Sequence, residues 1–213
     1  MAVQGRSGDA YHHGDLRSAL VDIAVELIAE SGPRGFSLAE AARRVGVSIS
    51  APYRHFADRD ALLAAVALRA YAVLGPRVDA ATAEAPDAPV DQLVRAAAAY
   101  VRFSVEERPL FAVMFGAGLD KSRYPELRAA SADAYRSWLA AARALVPGGG
   151  EQEATDLAIA VVTVAHGHAA LLADGQFGRA DEQLEDVAQR VSRTVRTLLS
   201  NRRLGARDRG GLT

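Results

Sequence analysis

The chain has 213 residues, a formal net charge of −1, and hydrophobic side chains at half of its positions. That is long enough for one or two domains with a real core, too apolar for a disordered chain, and too evenly charged for composition to mark a nucleic-acid binder. With no cysteine, disulfide staples, cysteine-based zinc sites and thiol nucleophiles are excluded.

The opening stretch "MAVQGRSGDAYHHGDL" has no apolar core of the signal-peptide kind. The longest apolar-rich run, residues 157–173, is short for a membrane span and carries two histidines. A soluble, cytoplasmic protein with no membrane partner is expected. Arginine outnumbers lysine 24 to 1, which reads mostly as coding bias.

Helical spacing recurs along the chain, while the alternation of strands is nearly absent. In "DLRSALVDIAVELIAESG", Leu16, Leu20, Ile23, Leu27 and Ile28 share one face, and Gly32 followed by Pro33 ends the helix. Ser37 can cap a second helix over about 38–44, which Gly46 breaks. Ser48 can cap a third, short one ending near Phe56. Asp58 can cap a fourth, which runs to about 84 or breaks near Gly75-Pro76. Further helices are predicted over about 90–107, 109–116, 125–146, 151–174 and 180–201, with "PDAP", "GAGLDKSRYP", "PGGG" and "DGQFGR" as connectors. Residues 202–213 read as a disordered basic tail. The chain is therefore expected to be all-α, with a small helical unit over 11–57, a larger bundle over 58–201, and the tail.

Helix, glycine-containing turn and short helix is the helix-turn-helix arrangement, in which the second helix of the pair sets its first residues against base edges in the major groove. That job needs small or polar side chains early. "SISA" supplies Ser48, Ile49, Ser50 and Ala51; hydroxyls can bond bases or phosphates, and Ala51 can touch a thymine methyl. Arg54 and His55 follow one turn later, and Tyr53 offers a hydroxyl to a phosphate. The helix starts at Ser37 and Ser48 present unpaired N–H groups that also favour phosphate. Pro52 is awkward, since it removes a backbone donor, and it implies a short helix with an irregular start. Spacing alone is equally consistent with a plain helical hairpin inside a bundle. Local charge adds little: residues 36–57 carry +2, and residues 1–60 carry −1. A dimer that doubles the basic face and aligns two half-sites would supply what one copy lacks.

The stretch from Tyr11 to Ala67, with its "GVS…YRHF" signature, resembles the N-terminal domain of tetracycline-repressor (TetR)-type transcriptional regulators. The resemblance implies contacts to double-stranded DNA from Ser37, Ser48, Ser50, Ala51, Tyr53, Arg54 and His55. Arg59 stands where the family usually has a phosphate-contacting lysine, and Pro52 replaces the more usual apolar residue. The resemblance further implies a second domain that binds a small-molecule effector and pairs its last two long helices with those of a homodimer partner. "RPLFAVMFG", "SWLAAA" and "VAHGHAALLADG" are similar to the subclass marked by a Trp-His-Gly (WHG) pattern, with Val162 or a neighbour where the tryptophan would stand.

Residues 157–173 are apolar almost all round, as suits a helix packed on its own domain and on a partner. In the last helix Leu184, Val187, Val191, Val195, Leu198 and Leu199 form a stripe. Tyr100, Phe103, Phe111, Met114, Phe115, Tyr135 and Trp138 are the candidate effector-pocket residues, with ordinary core as the alternative for each. Few buried charges suggest an apolar or weakly polar effector. His166 and His168 lie two apart and point to different faces of a helix, so core or interface packing is expected rather than a metal site. No cofactor, metal or catalytic constellation is expected: "PGGG" ends a helix, and no Ser-His-Asp order stands out. The expected function is a DNA-binding transcriptional regulator, a repressor released from a palindromic operator by its effector. An architectural DNA-binding dimer without effector and a small helical enzyme are the alternatives.

Overall fold

The computed structural model describes residues 13–176 and 184–209, with side chains over 16–176 and 184–201. Among the described residues there are eight α-helices, two isolated 3-10 turns and no strand.

Helix α1 (His13–Ser31) ends where glycine predicts it. Gly32 takes the left-handed conformation at φ 73°, and its N–H donates to the Ile28 carbonyl at 2.9 Å. Leu20, Ala24, Leu27 and Ile28 are buried. Helix α2 (Leu38–Val45) starts on Ser37, whose hydroxyl oxygen accepts from the Glu40 N–H at 3.1 Å, and stops at Gly46 with φ 81°.

The expected third helix over 48–56 is not formed. The chain makes only a 3-10 turn at Pro52–Arg54. Pro52 has no N–H to give the Ser48 carbonyl, which Ala51 takes instead at 2.9 Å; Arg54→Ala51 and His55→Pro52 repeat this tighter closure. Only Phe56→Pro52, at 2.9 Å, spans four residues in this turn.

Helix α3 (Arg59–Ala83) opens on Asp58, whose carboxylate accepts from the Ala61 N–H at 2.8 Å. It runs unbroken through Gly75-Pro76. Pro76 faces solvent, and Gly75 is buried facing Ala134. Then follow α4 (Pro89–Glu106), α5 (Arg108–Gly116), a 3-10 turn at Lys121–Arg123, α6 (Pro125–Leu145), α7 (Glu151–Ala173) and α8 (Leu184–Arg209). Proline stands in the first turn of α4, α5 and α6, where its missing N–H costs nothing.

α8 runs on to Arg209, past the expected end at 201. "RRLGARDR" is rich in helix formers, and one glycine does not stop it. The rest of the expected tail, 210–213, and residues 177–183 lie outside the described residues.

α1, α2 and the Pro52 turn make a head around Leu20, Leu27, Phe36, Leu38, Ala41 and Phe56. α3 leaves the head and enters a bundle in which α4 is central, packing on α3, α6, α7 and α8. The head also touches the bundle through α1 on α5, with Gly116 against the Pro33 ring. α8 turns most of its stripe into its own chain: Val187, Val191, Val195 and Leu199 are buried with α4 as main neighbour, while Leu198 is 37% exposed. α3 and α7 are both long and apolar enough to cross a membrane by length and composition. The most apolar stretch of α3 is 61% buried inside the protein, that of α7 only 28%.

Candidate DNA-reading surface and ligand cavity

The turn after α2 projects its side chains outward. Ile49 is 56% and Tyr53 55% exposed, and Ser48, Ser50 and Arg54 are exposed as well. Pro52 and Phe56 point inward and are buried, and the Arg17 guanidinium covers the Phe56 ring at 5.2 Å. The inward residues anchor this one-turn element on the head while the outward ones stay accessible. Ser48 and Ser50 hydroxyls lie 3.2 Å apart. Ala51 and His55 are half-buried. Ser37 stays exposed, and after capping α2 it keeps its hydroxyl proton.

Several cations near this turn are already engaged. Arg43 pairs with Glu40, and Arg44 binds Glu30 of α1 in bidentate fashion at 3.0 and 2.6 Å, which holds the Glu30 carboxyl below its ordinary range. Arg54 has no carboxylate partner among the described residues. Arg59 is also committed. It donates to the Phe36 carbonyl at 3.1 Å and to the Pro33 carbonyl, and it lies over the Phe36 ring at 5.3 Å. It thus straps the turn before α2 to the start of α3.

A cavity of about 460 Å³ opens between α3, α4, α5, α6 and α7. Of the candidate pocket residues, Tyr100, Met114, Phe115, Tyr135 and Trp138 line it. Phe103 and Phe111 do not. Phe103 is fully buried with the Arg77 guanidinium over its ring at 5.8 Å, and Phe111 stands behind the lining, edge-on to Tyr100 with centroids 6.0 Å apart. Burial raises the Tyr100 hydroxyl pKa and pushes Tyr135 up to about 12.

Other lining residues lie outside the expected set, on predicted helices and on one predicted loop. Tyr71 and Leu74 belong to α3, Arg128 and Ser131 to the start of α6, and Lys121 to the turn before it. Val162 and His166 of α7 complete the wall. The signal for α6 was available, since Arg128, Ser131, Tyr135 and Trp138 recur at helical spacing. Lys121 could have been noticed as the chain's one lysine. His166 Nδ1 lies 3.0 Å from the Tyr100 hydroxyl, and burial holds its pKa below the ordinary 6.5. His168 turns away to the Val164 carbonyl at 2.9 Å.

Two family models match the sequence: "Bacterial regulatory proteins, tetR family" over residues 20–66, and "Tetracyclin repressor-like, C-terminal domain" over residues 93–198. No curated protein matches. Among solved structures, a protein of unknown function from Rhodococcus sp. RHA1 is 29% identical, with TM-score 0.73 over 89% of this chain and 98% of that one. A bacterial regulatory protein in the tetR family from Rhodococcus RHA1 is 19% identical, with TM-score 0.68 over 86% and 96%. The fatty acid degradation regulator FadR from Bacillus halodurans shares the fold at 13% identity, with TM-score 0.64 over 90% and 96%.

Proposed function

The chain belongs to the tetR family of bacterial regulatory proteins and is a DNA-binding transcription regulator, and from that premise we propose that it acts as a homodimeric repressor released from a palindromic operator by a small molecule. In this reading it works in the cytoplasm, without a cofactor and without a catalytic step. Ser37, Ser48, Ser50, Ala51, Tyr53, Arg54 and His55 meet the DNA. Arg59 supports the head rather than binding phosphate, because its guanidinium is spent on two backbone carbonyls.

The observation that carries the proposal is the double duty of α3. Its capping residue, Asp58, lies just past the Pro52 turn, and its Tyr71 and Leu74 form part of the cavity wall. A ligand that prefers a displaced α3 therefore prefers a displaced head. Two heads must stand about 34–36 Å apart to enter successive major grooves, so a shift in α3 changes the fit. The ligand releases DNA only to the extent that it binds the unfit state more tightly.

The dimer is supported by α7, whose apolar surface is poorly covered by its own chain: Ile159 is 51% exposed. Selection of bound DNA from a random pool tests the whole reading. A palindromic consensus with half-sites one helical turn apart is expected. Equal recovery of scrambled DNA would instead mark an architectural dimer.

A further inference from the structure

We propose that the cavity takes an apolar organic anion, a carboxylate on an aromatic or acyl body, with its charge held between Lys121 and Arg128. The proposal rests on reading this cavity as the effector site and names the class of effector.

The first observation is charge. The lining holds Lys121 and Arg128 and no aspartate or glutamate. That is not a consequence of composition, because the chain has 26 acidic residues against 25 basic ones. Most arginines with described side chains pair with a carboxylate, Arg77 and Arg102 among them. Lys121 and Arg128 have no such partner among the described residues. Two unmatched cations beside an apolar cavity repel a cationic guest, and a neutral guest leaves both of them without a counter-charge. A carboxylate satisfies both.

The second observation is that Lys121 is held in place. It is the only lysine of the chain. Its ammonium donates to the Tyr71 hydroxyl at 3.0 Å and lies over the Tyr71 and Phe115 rings at 5.5 and 5.6 Å. One of its three donors is used, which leaves two for a guest. A fixed ammonium loses little entropy on binding, so it selects strongly.

The third is shape. Arg128, Ser131, Tyr135 and Trp138 succeed one another along one face of α6, a rise of about 15 Å over ten residues. The lining is thus polar near the Lys121 turn and aromatic farther along, where Tyr100 and Trp138 meet edge-on at 6.2 Å. His166, hydrogen-bonded to Tyr100, adds a polar point. The volume of about 460 Å³ suits a small guest of this amphipathic kind.

Trp138 is the only tryptophan, so its fluorescence reports cavity occupancy in the intact protein without a label. Phenylbutanoate, phenylbutanamide and phenylbutylamine share one body and differ in the head group. The acid is expected to bind at least about tenfold tighter than the amide, the worth of one charge-assisted hydrogen bond, and the amine weakest. Lys121→Met should remove most of the preference and Lys121→Arg should keep most of it. Arg128→Gln, on the exposed start of α6, should reduce it without disturbing the fold. An amide that binds as tightly as the acid, an amine that binds more tightly, or no response to any of the three at millimolar concentration overturns the proposal. Gel shifts on the selected operator separate this from the effector reading. An acid that fills the cavity but leaves DNA affinity unchanged defeats that reading and spares this one. A neutral molecule that fills it and releases DNA does the reverse.

Discussion

Arg123 reaches one carboxylate oxygen of Asp58 at 3.4 Å, while the other accepts from the Ala61 N–H at 2.8 Å and caps α3. The turn that carries Lys121 is thereby tied to the N-cap of the helix that joins head and bundle. The two bonds differ in worth. A lost N-cap costs about 1 kcal/mol, whereas an exposed ion pair of this kind contributes roughly 0–1 kcal/mol. Asp58→Ala should therefore lower unfolding free energy by about 1 kcal/mol, and Asp58→Asn, which still caps, by clearly less. Denaturant midpoints of the two variants decide it. Equal losses would show that the cap is not the reason.

The two phenylalanines on either side of the cavity wall should behave differently. Phe103 is fully buried and Phe115 is 48% exposed, in contact with the His166 ring at 4.4 Å. Phe103→Ala should cost about 3–5 kcal/mol, and Phe115→Ala about 1 kcal/mol or less. Phe115→Ala should nevertheless change what the cavity binds. Chemical denaturation alongside Trp138 fluorescence would separate the two effects.

That contrast also marks the limit of the sequence as a guide. Ser37, Gly32, Gly46 and Asp58 announce helix ends because capping is local chemistry between neighbours. Pro52 announces a disturbed start, and the structure goes further by replacing the expected helix with a single tight turn. Which aromatic side of α4 and α5 meets a cavity depends on how five helices lean together, and Phe103, Phe111 and Phe115 look alike in the chain. Arg59 looks like a free cation with Asp60 as its neighbour, but besides that ion pair at 3.5 Å it donates to two backbone carbonyls, which have no residue signature. Of the stripe on α8, Val187, Val191, Val195 and Leu199 are buried within the chain, with α4 as the main neighbour of the helix, while Leu198 stays exposed, a division that periodicity does not reveal.

Acidification should destabilise the bundle through His166. Burial lowers its pKa from the ordinary 6.5, so the native state favours the neutral ring. Around it stand the hydroxyls of Tyr71, Tyr100 and Tyr135 and the cations Lys121 and Arg128. Below about 6.5 the unfolded chain takes up a proton that the native chain resists, so stability falls as pH drops toward the native value and is flat above 6.5. A plot of Tm against pH should show this drop in the wild type, and His166→Gln should flatten part of it. An identical slope in the two proteins counts against the assignment.

On DNA, the pairing pattern orders the arginines. Arg54 has no carboxylate partner among the described residues, while Arg44 is already paired with Glu30. If Arg54 contacts phosphate, Arg54→Ala should reduce the slope of log affinity against log salt by about 1. Arg44→Ala should reduce it less. Tyr53→Phe should weaken all sequences alike, whereas Ser50→Ala should shift base preference at one position by about 1–3 kcal/mol. Salt-dependent gel shifts on specific and scrambled duplexes read all four.

The proposed dimer is the last link, because one head with few unpaired cations among the described residues would hold DNA weakly. Ile159 of α7 and Leu198 of α8 are 51% and 37% exposed on helices whose other faces are buried. Neither supports its own bundle, so a charge at either position should spare the fold. Placed in a water-excluding contact between two copies, the same charge would lack a partner and cost several kcal/mol. Ile159→Glu should therefore sediment as a monomer at concentrations where the wild type is dimeric, with an unchanged far-ultraviolet spectrum. Operator affinity should fall with it, since two half-sites are no longer bound as one unit. A variant that stays dimeric with full operator affinity would place the contact on another face.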